Sequence, residues 1–149
     1  VWQASHLGGH RFAATLVHLP SGLCLGRVTP EDAPAWVDAL DPGTPRRTRM
    51  RWEQVRGRVA WSRPAQAAEV LWRAGAAGRG TLPLSAIGLQ SSHAADDTHW
   101  TVTLTTPDGP TPVSVVRAPL GTTVQPSCQE AVFEAAVAFR EGGAGSAAS

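Results

Sequence analysis

The feature that most constrains this chain is a change of hydrophobic period. From Leu84 onward the period falls to two: Trp100, Val102 and Leu104 alternate with Thr101, Thr103 and Thr105, and Val113 to Val116 returns after Pro107-Asp108-Gly109. Successive side chains on a strand point to opposite faces, so this stretch reads as an antiparallel hairpin with one apolar face. After Ser127 two patterns compete. Ser127 and Glu130 have the spacing of a capping box, whereas Phe133, Ala135, Val137 and Phe139 alternate as in a strand. The alternation favours a strand, and the small residues 142–149 are expected to form a disordered tail.

Upstream the pattern differs. Residues 1–5 and 11–19 read as strands, and Ser21-Gly22 turns the chain into a third strand over residues 23–28. Both faces of the second strand are largely apolar: Phe12, Ala14, Leu16 and His18 on one, Ala13, Thr15, Val17 and Leu19 on the other. Such a strand is covered twice, which makes His18 a packed strand residue. Thr29-Pro30-Glu31-Asp32 supplies a capping hydroxyl, a first-turn proline and two acids for the positive helix end. A helix is expected to reach about Leu40, with Pro34 allowing a start at Asp32 and Asp41-Pro42-Gly43 ending it. A second helix is expected after Ser62, with Pro64 near its start. Its stripe of Ala65, Ala68, Leu71 and Trp72 belongs to a core, and Gly75 and Gly78 end it.

The whole is 149 residues, room for one ordinary domain or two small ones. The patterns divide it into an α/β unit (1–41), an Arg-rich linker (42–61), a small α+β domain with the antiparallel hairpin (62–141) and the tail (142–149). Hydrophobic residues at 42% and charged residues at 17% exclude a disordered chain. A formal charge of +1 gives no overall field to draw the protein to nucleic acid or an anionic membrane. All thirteen basic residues are arginine, and lysine, asparagine and tyrosine are absent, a bias expected of a high-GC bacterium. No run approaches the roughly 20 apolar residues of a spanning helix, no signal peptide is visible, and two cysteines are too few for a disulfide scaffold. A cytoplasmic protein is the expectation.

One segment carries chemistry: Ser5-His6-Leu7-Gly8-Gly9-His10-Arg11, between the first two strands. Gly8 and Gly9 each cost a helix about 1 kcal/mol relative to alanine, so the two imidazoles belong on a tight loop that can turn both rings toward one point. A zinc-protease helix is excluded, because His-Glu-x-x-His needs a glutamate where Leu7 stands. The run VWQASHLGGHRFAATLVHLPSG, followed by LGRVTPEDA, resembles the sucrase/ferredoxin-like family. The similarity continues through Arg56-Gly57-Arg58, Trp61, Pro64 to Glu69, the strands around Trp100 and Asp108-Gly109, and Ser127-Cys128.

That resemblance implies a thioredoxin-like ferredoxin domain, of which residues 1–41 are the second half, holding a two-iron two-sulfur cluster on two cysteines and two histidines. His6 and His10 fall on the two histidines. The family's cysteines lie upstream of them, ahead of Val1, so the chain is expected to be a C-terminal portion or the product of an incomplete gene model. Cys24 and Cys128 match no ligand position, and Ala4 stands where many members have cysteine. One-electron transfer to an unknown redox partner is the implied function, a carrier rather than an enzyme in its own right. Imidazole in place of thiolate removes negative charge and favours the reduced cluster: bis-histidine Rieske centres span roughly −150 to +300 mV against about −400 mV for plant-type ferredoxins. A ring bound to iron through one nitrogen can release a proton from the other, which links potential to pH. Arg11 is either a neighbour that stabilises the cluster's charge or a plain surface residue.

The rival reading is an interaction module that keeps the scaffold without the cluster. The segment from Pro42 to Arg63 holds seven arginines (46, 47, 49, 51, 56, 58 and 63) interleaved with Trp52 and Trp61. It reads as a solvated linker face, as a docking surface for an acidic redox partner, or as a single-strand binder that grips phosphates and stacks bases. Near-zero net charge disfavours the last, and no nucleic-acid partner is expected. His93 and His99 flank Asp96-Asp97, a composition that loop polarity explains without a metal, and Cys24 reads as a small buried strand residue.

Overall fold

The structure, a computed structural model, describes residues 13–19, 21–40, 51–76, 78–124 and 134–142. Over these it is mostly β: two antiparallel sheets of three and four strands with two α-helices. The strand expected at residues 1–5, the helix stop at Asp41-Pro42-Gly43, the capping box at Ser127 and Glu130, and the tail beyond Gly142 lie outside the described residues.

The first sheet has the order β1 (Leu16–His18), β2 (Leu23–Leu25), β3 (Val55–Arg58). Gly22, at φ +67°, makes the turn between β1 and β2, and its amide donates to the His18 carbonyl at 2.9 Å. The expected third strand ends early, at Leu25 rather than residue 28. The next amide, Gly26, donates to the Gln54 carbonyl at 2.8 Å, and Arg27 then takes φ +60°, which breaks a strand. Leu23 and Leu25 are wholly buried beneath Trp36, Ala39 and Leu40 of α1 (Ala33–Leu40), with Trp52, Val55 and Leu84 completing that core. α1 starts at Ala33, one residue after the alternative start at Asp32. The Asp32 carbonyl accepts the Trp36 amide, while Thr29 Oγ1 accepts the Asp32 amide and Asp32 Oδ2 accepts the Thr29 amide, both at 3.3 Å.

β3 falls inside the segment expected as a linker. Trp52–Gln54 form a 3-10 turn, and β3 pairs antiparallel with β2, Leu23 opposite Arg58 and Leu25 opposite Val55. The alternation of Val55, Arg56, Gly57 and Arg58 is obscured by two arginines and a glycine, which are not strand formers by propensity. What holds them is α2 (Arg63–Ala74), packed against β3. Gly57 permits the approach: at φ +108° it faces Gln66, and a Cβ built there would lie 2.5 Å from the Gln66 Cβ.

α2 begins at the expected proline, although the Ser62 side chain makes no capping bond, and Gly75 follows it. Ala65, Ala68 and Trp72 are buried as the stripe requires, against Ile87, Val102, Leu104, Val113 and Val115. Ile87 leads into the second sheet and the four others belong to it, a meander of β4 (Gly88–Ala94), β5 (His99–Thr106), β6 (Gly109–Val124) and β7 (Glu134–Glu141). The hairpin lies as its alternation demands, with Trp100 opposite Val115 and Val102 opposite Val113. β7 bears out the strand reading of the tail, and Phe139 meets Trp100 edge-on with centroids 5.9 Å apart. Among the described residues every strand pair is antiparallel. No helix of the described residues is long and apolar enough to cross a membrane.

Candidate functional site

His6, His10 and Arg11 lie outside the described residues, as do Cys128 and Arg46, Arg47 and Arg49. The structure therefore bears on the surroundings of the expected site. Immediately downstream is the β1–β2 hairpin, where half-buried His18 is fixed by a 2.7 Å hydrogen bond between its Nδ1 and Ser21 Oγ. Ser21 Oγ also accepts the Leu23 amide at 3.3 Å. His18 is thereby a turn-closing strand residue. Cys24 is a free, half-buried thiol on β2, opposite Val17 and Gly57. Burial pushes its pKa up, with Arg56 opposing the shift, so the thiol is held in its neutral form.

The loop between β2 and α1 is tied by Gln54 to the 3-10 turn that precedes β3. Gln54 Nε2 donates to Asp32 Oδ2 at 2.7 Å and to the Arg27 carbonyl at 3.0 Å, while its Oε1 accepts the Trp36 indole N–H at 2.7 Å. The Gln54 hydrogen bond holds the Asp32 carboxyl below its ordinary range, with further lowering from Thr29 and from Arg51, whose Nη1 lies 3.1 Å from Asp32 Oδ1. Nothing in local spacing marks Gln54, because its partners lie 18 to 27 residues away.

The arginine and tryptophan residues divide into two populations. Arg58 Nε and Nη2 each reach a Glu69 carboxylate oxygen at 2.8 Å, and Arg73 Nε reaches Glu69 Oε1 at 3.0 Å. Arg73 and Glu69 are both 1% exposed, a burial that requires such pairing. Carbonyls complete the set: Arg58 Nη2 also donates to those of Leu84 and Ile87, and Arg73 Nη1 and Nη2 donate to those of Arg79, Leu82 and Pro83. Three guanidiniums also lie over indole rings, Arg58 on Trp61 at 4.6 Å, Arg73 on Trp52 at 4.8 Å and Arg79 on Trp72 at 4.6 Å. Arg58 and Trp61 are thus turned inward, whereas Arg51, Arg56 and Arg63 are exposed. The i,i+4 spacing of Glu69 and Arg73 was the one available signal for this centre.

His99 lies at the β4–β5 turn, its Nδ1 3.0 Å from both oxygens of Asp96. Asp96 Oδ1 also accepts from the Thr98 amide and hydroxyl and from the His99 amide. These bonds, those from Thr98 first, depress the Asp96 carboxyl far below its ordinary range and make it an ordered turn. Among the described residues no group of three or more His, Cys, Asp or Glu side chains converges closely enough to hold a metal ion.

Comparison with known proteins adds no relative: no family model matches the chain, nor does any curated protein or solved structure.

Proposed function

We propose that this chain is part of an iron–sulfur electron carrier of the sucrase/ferredoxin-like kind, in which His6 and His10 are two of four cluster ligands. The observation that carries the reading is the His6-Leu7-Gly8-Gly9-His10 segment inside a longer run of family-like sequence. The order of strand, strand and helix over β1, β2 and α1 is compatible with the second half of a thioredoxin-like unit. Three of the described histidine and cysteine side chains are otherwise placed. His18 is bound to Ser21, His99 to Asp96, and Cys24 is a neutral thiol in a strand. On the family resemblance the other two ligands are cysteines from upstream sequence.

A bound cluster supplies one-electron chemistry. His6 and His10 would each hold iron through one ring nitrogen and would be free to exchange a proton with water at the other, which would link electron and proton uptake. Exposed Arg51, Arg56 and Arg63 suit an acidic redox partner; the inward guanidiniums of Arg58 and Arg73 do not.

The test is the protein expressed with its natural upstream sequence. Iron and acid-labile sulfide should be present in a two-to-two ratio, and His6→Cys and His10→Cys should each lower the reduction potential and flatten its pH dependence, since a thiolate adds negative charge and removes a titrating ring. A protein with no iron supports the cluster-free interaction module instead. Variants whose potential and pH slope match the parent's remove His6 and His10 from the ligand set.

A further inference from the structure

The centre formed by Arg58, Glu69 and Arg73 joins parts of the chain that the sequence divides. Arg58 belongs to β3, the edge of the first sheet, and Glu69 and Arg73 to α2, which covers the second. The carbonyls of Leu82, Pro83, Leu84 and Ile87 come from the connection into β4. Leu84 belongs to the core of the first sheet and Ile87, three residues on, to that of the second. Arg73 likewise serves both sides, stacked on Trp52 of the first core from a helix that buries Trp72 in the other.

From this geometry we infer that the centre is a rigid joint: the first sheet with α1 and the α2-bearing second sheet open and close as one cooperative body. The reason is electrostatic. Glu69 is the carboxylate that both guanidiniums share, and carbonyls of the connection from Leu82 to Ile87 accept further hydrogen bonds from them while that connection is in place. Separating the two parts takes from Arg58 its carboxylate and from Glu69 one of its two guanidiniums, a loss borne on both sides of the break, so the two parts open together. Gln66 adds a second tie, donating from Nε2 to the Arg58 and Trp61 carbonyls at 2.9 Å each. A partner docking on either part therefore meets the other at a fixed distance and orientation, whether or not the cluster assignment of His6 and His10 is correct.

Amide hydrogen exchange on the full chain in increasing urea tests the joint. The slowest amides of β2 and those of the β5–β6 pair, Val102, Leu104, Val113 and Val115, should merge onto one opening equilibrium with a common urea dependence. Glu69→Gln should speed both sets by the same factor, tenfold or more. Arg58→Lys, which keeps the charge but loses the two-pronged grip, serves if the glutamine variant does not fold, and should also act equally on both sets. Slow β2 amides that open by a separate equilibrium in the parent protein would overturn the inference, as would a variant that accelerates only one set.

Discussion

Arg58 grips Glu69 through two parallel hydrogen bonds, Nε to Oε2 and Nη2 to Oε1, each 2.8 Å long and spanning eleven residues of sequence. A side chain that reads as part of a solvated basic surface is instead 12% exposed and committed to a carboxylate that is itself 2% exposed. Two-pronged charge-assisted bonds of this kind are roughly twice as strong as neutral ones, and removing one partner leaves the other charge buried.

Arg73→Met should therefore be costly. The substitution removes a guanidinium of zero side-chain exposure from between Glu69, Trp52 and three backbone carbonyls. A loss of about 3–5 kcal/mol is expected from breaking a buried pair on one side. Urea unfolding with an unchanged m-value measures it; a loss below 1 kcal/mol would mean that the methionine packs as well as the ion pair does.

Gln54→Ala should destabilise by about 2–4 kcal/mol, because it deletes three hydrogen bonds and leaves the buried Trp36 indole N–H without its acceptor. Near-ultraviolet circular dichroism should show Trp36 losing its fixed environment. An intact spectrum with unchanged stability contradicts the role assigned to Gln54.

The Asp32 carboxyl makes stability sensitive to acid. Its pKa is lower in the folded chain than the ordinary 3.8, so the unfolded chain takes up the proton first as pH falls. The stabilisation is full above that ordinary value and is lost as pH falls through the folded pKa. Asp32→Asn should show a shallower decline of stability below pH 4 than the parent in chemical denaturation at stepped pH. Parallel curves for the two proteins would assign the acid sensitivity elsewhere.

Nucleic-acid affinity should be weak. Arg58 is spent on Glu69, Trp52 is buried, and half-buried Trp61 carries the Arg58 guanidinium over its ring, so the described part of the arginine and tryptophan stretch lacks an open stacking platform. Fluorescence anisotropy with single-stranded and duplex oligonucleotides at physiological salt should give no submicromolar binding, where specific binders reach about 10⁻⁸ M or tighter. Submicromolar binding would restore the reading of this stretch as a nucleic-acid surface.

How far the sequence carried depends on the range of the forces involved. The β5–β6 hairpin and α2 were legible because period and turn residues act within a few positions: Val102 and Leu104 face the core for the same reason that Thr101 and Thr105 face water, and Ala65, Ala68 and Trp72 share one face of a helix. The early end of β2 was not legible, since the left-handed backbone at Arg27 and the bond from Gly26 to Gln54 join residues far apart in the chain. The His6 and His10 segment was found as a motif, which no fold pattern could supply.

By itself, then, the sequence determined the elements whose hydrophobic faces are written in local periodicity, together with the spacing of the two histidines. Only the tertiary structure decided that Val55–Arg58 is a strand and that Arg58, Glu69 and Arg73 form one centre. Arginine and glycine carry no strand signal of their own. Their place is set by a buried carboxylate on α2 and by carbonyls of the Leu82 to Ile87 connection, which come within hydrogen-bonding range only once the chain has folded.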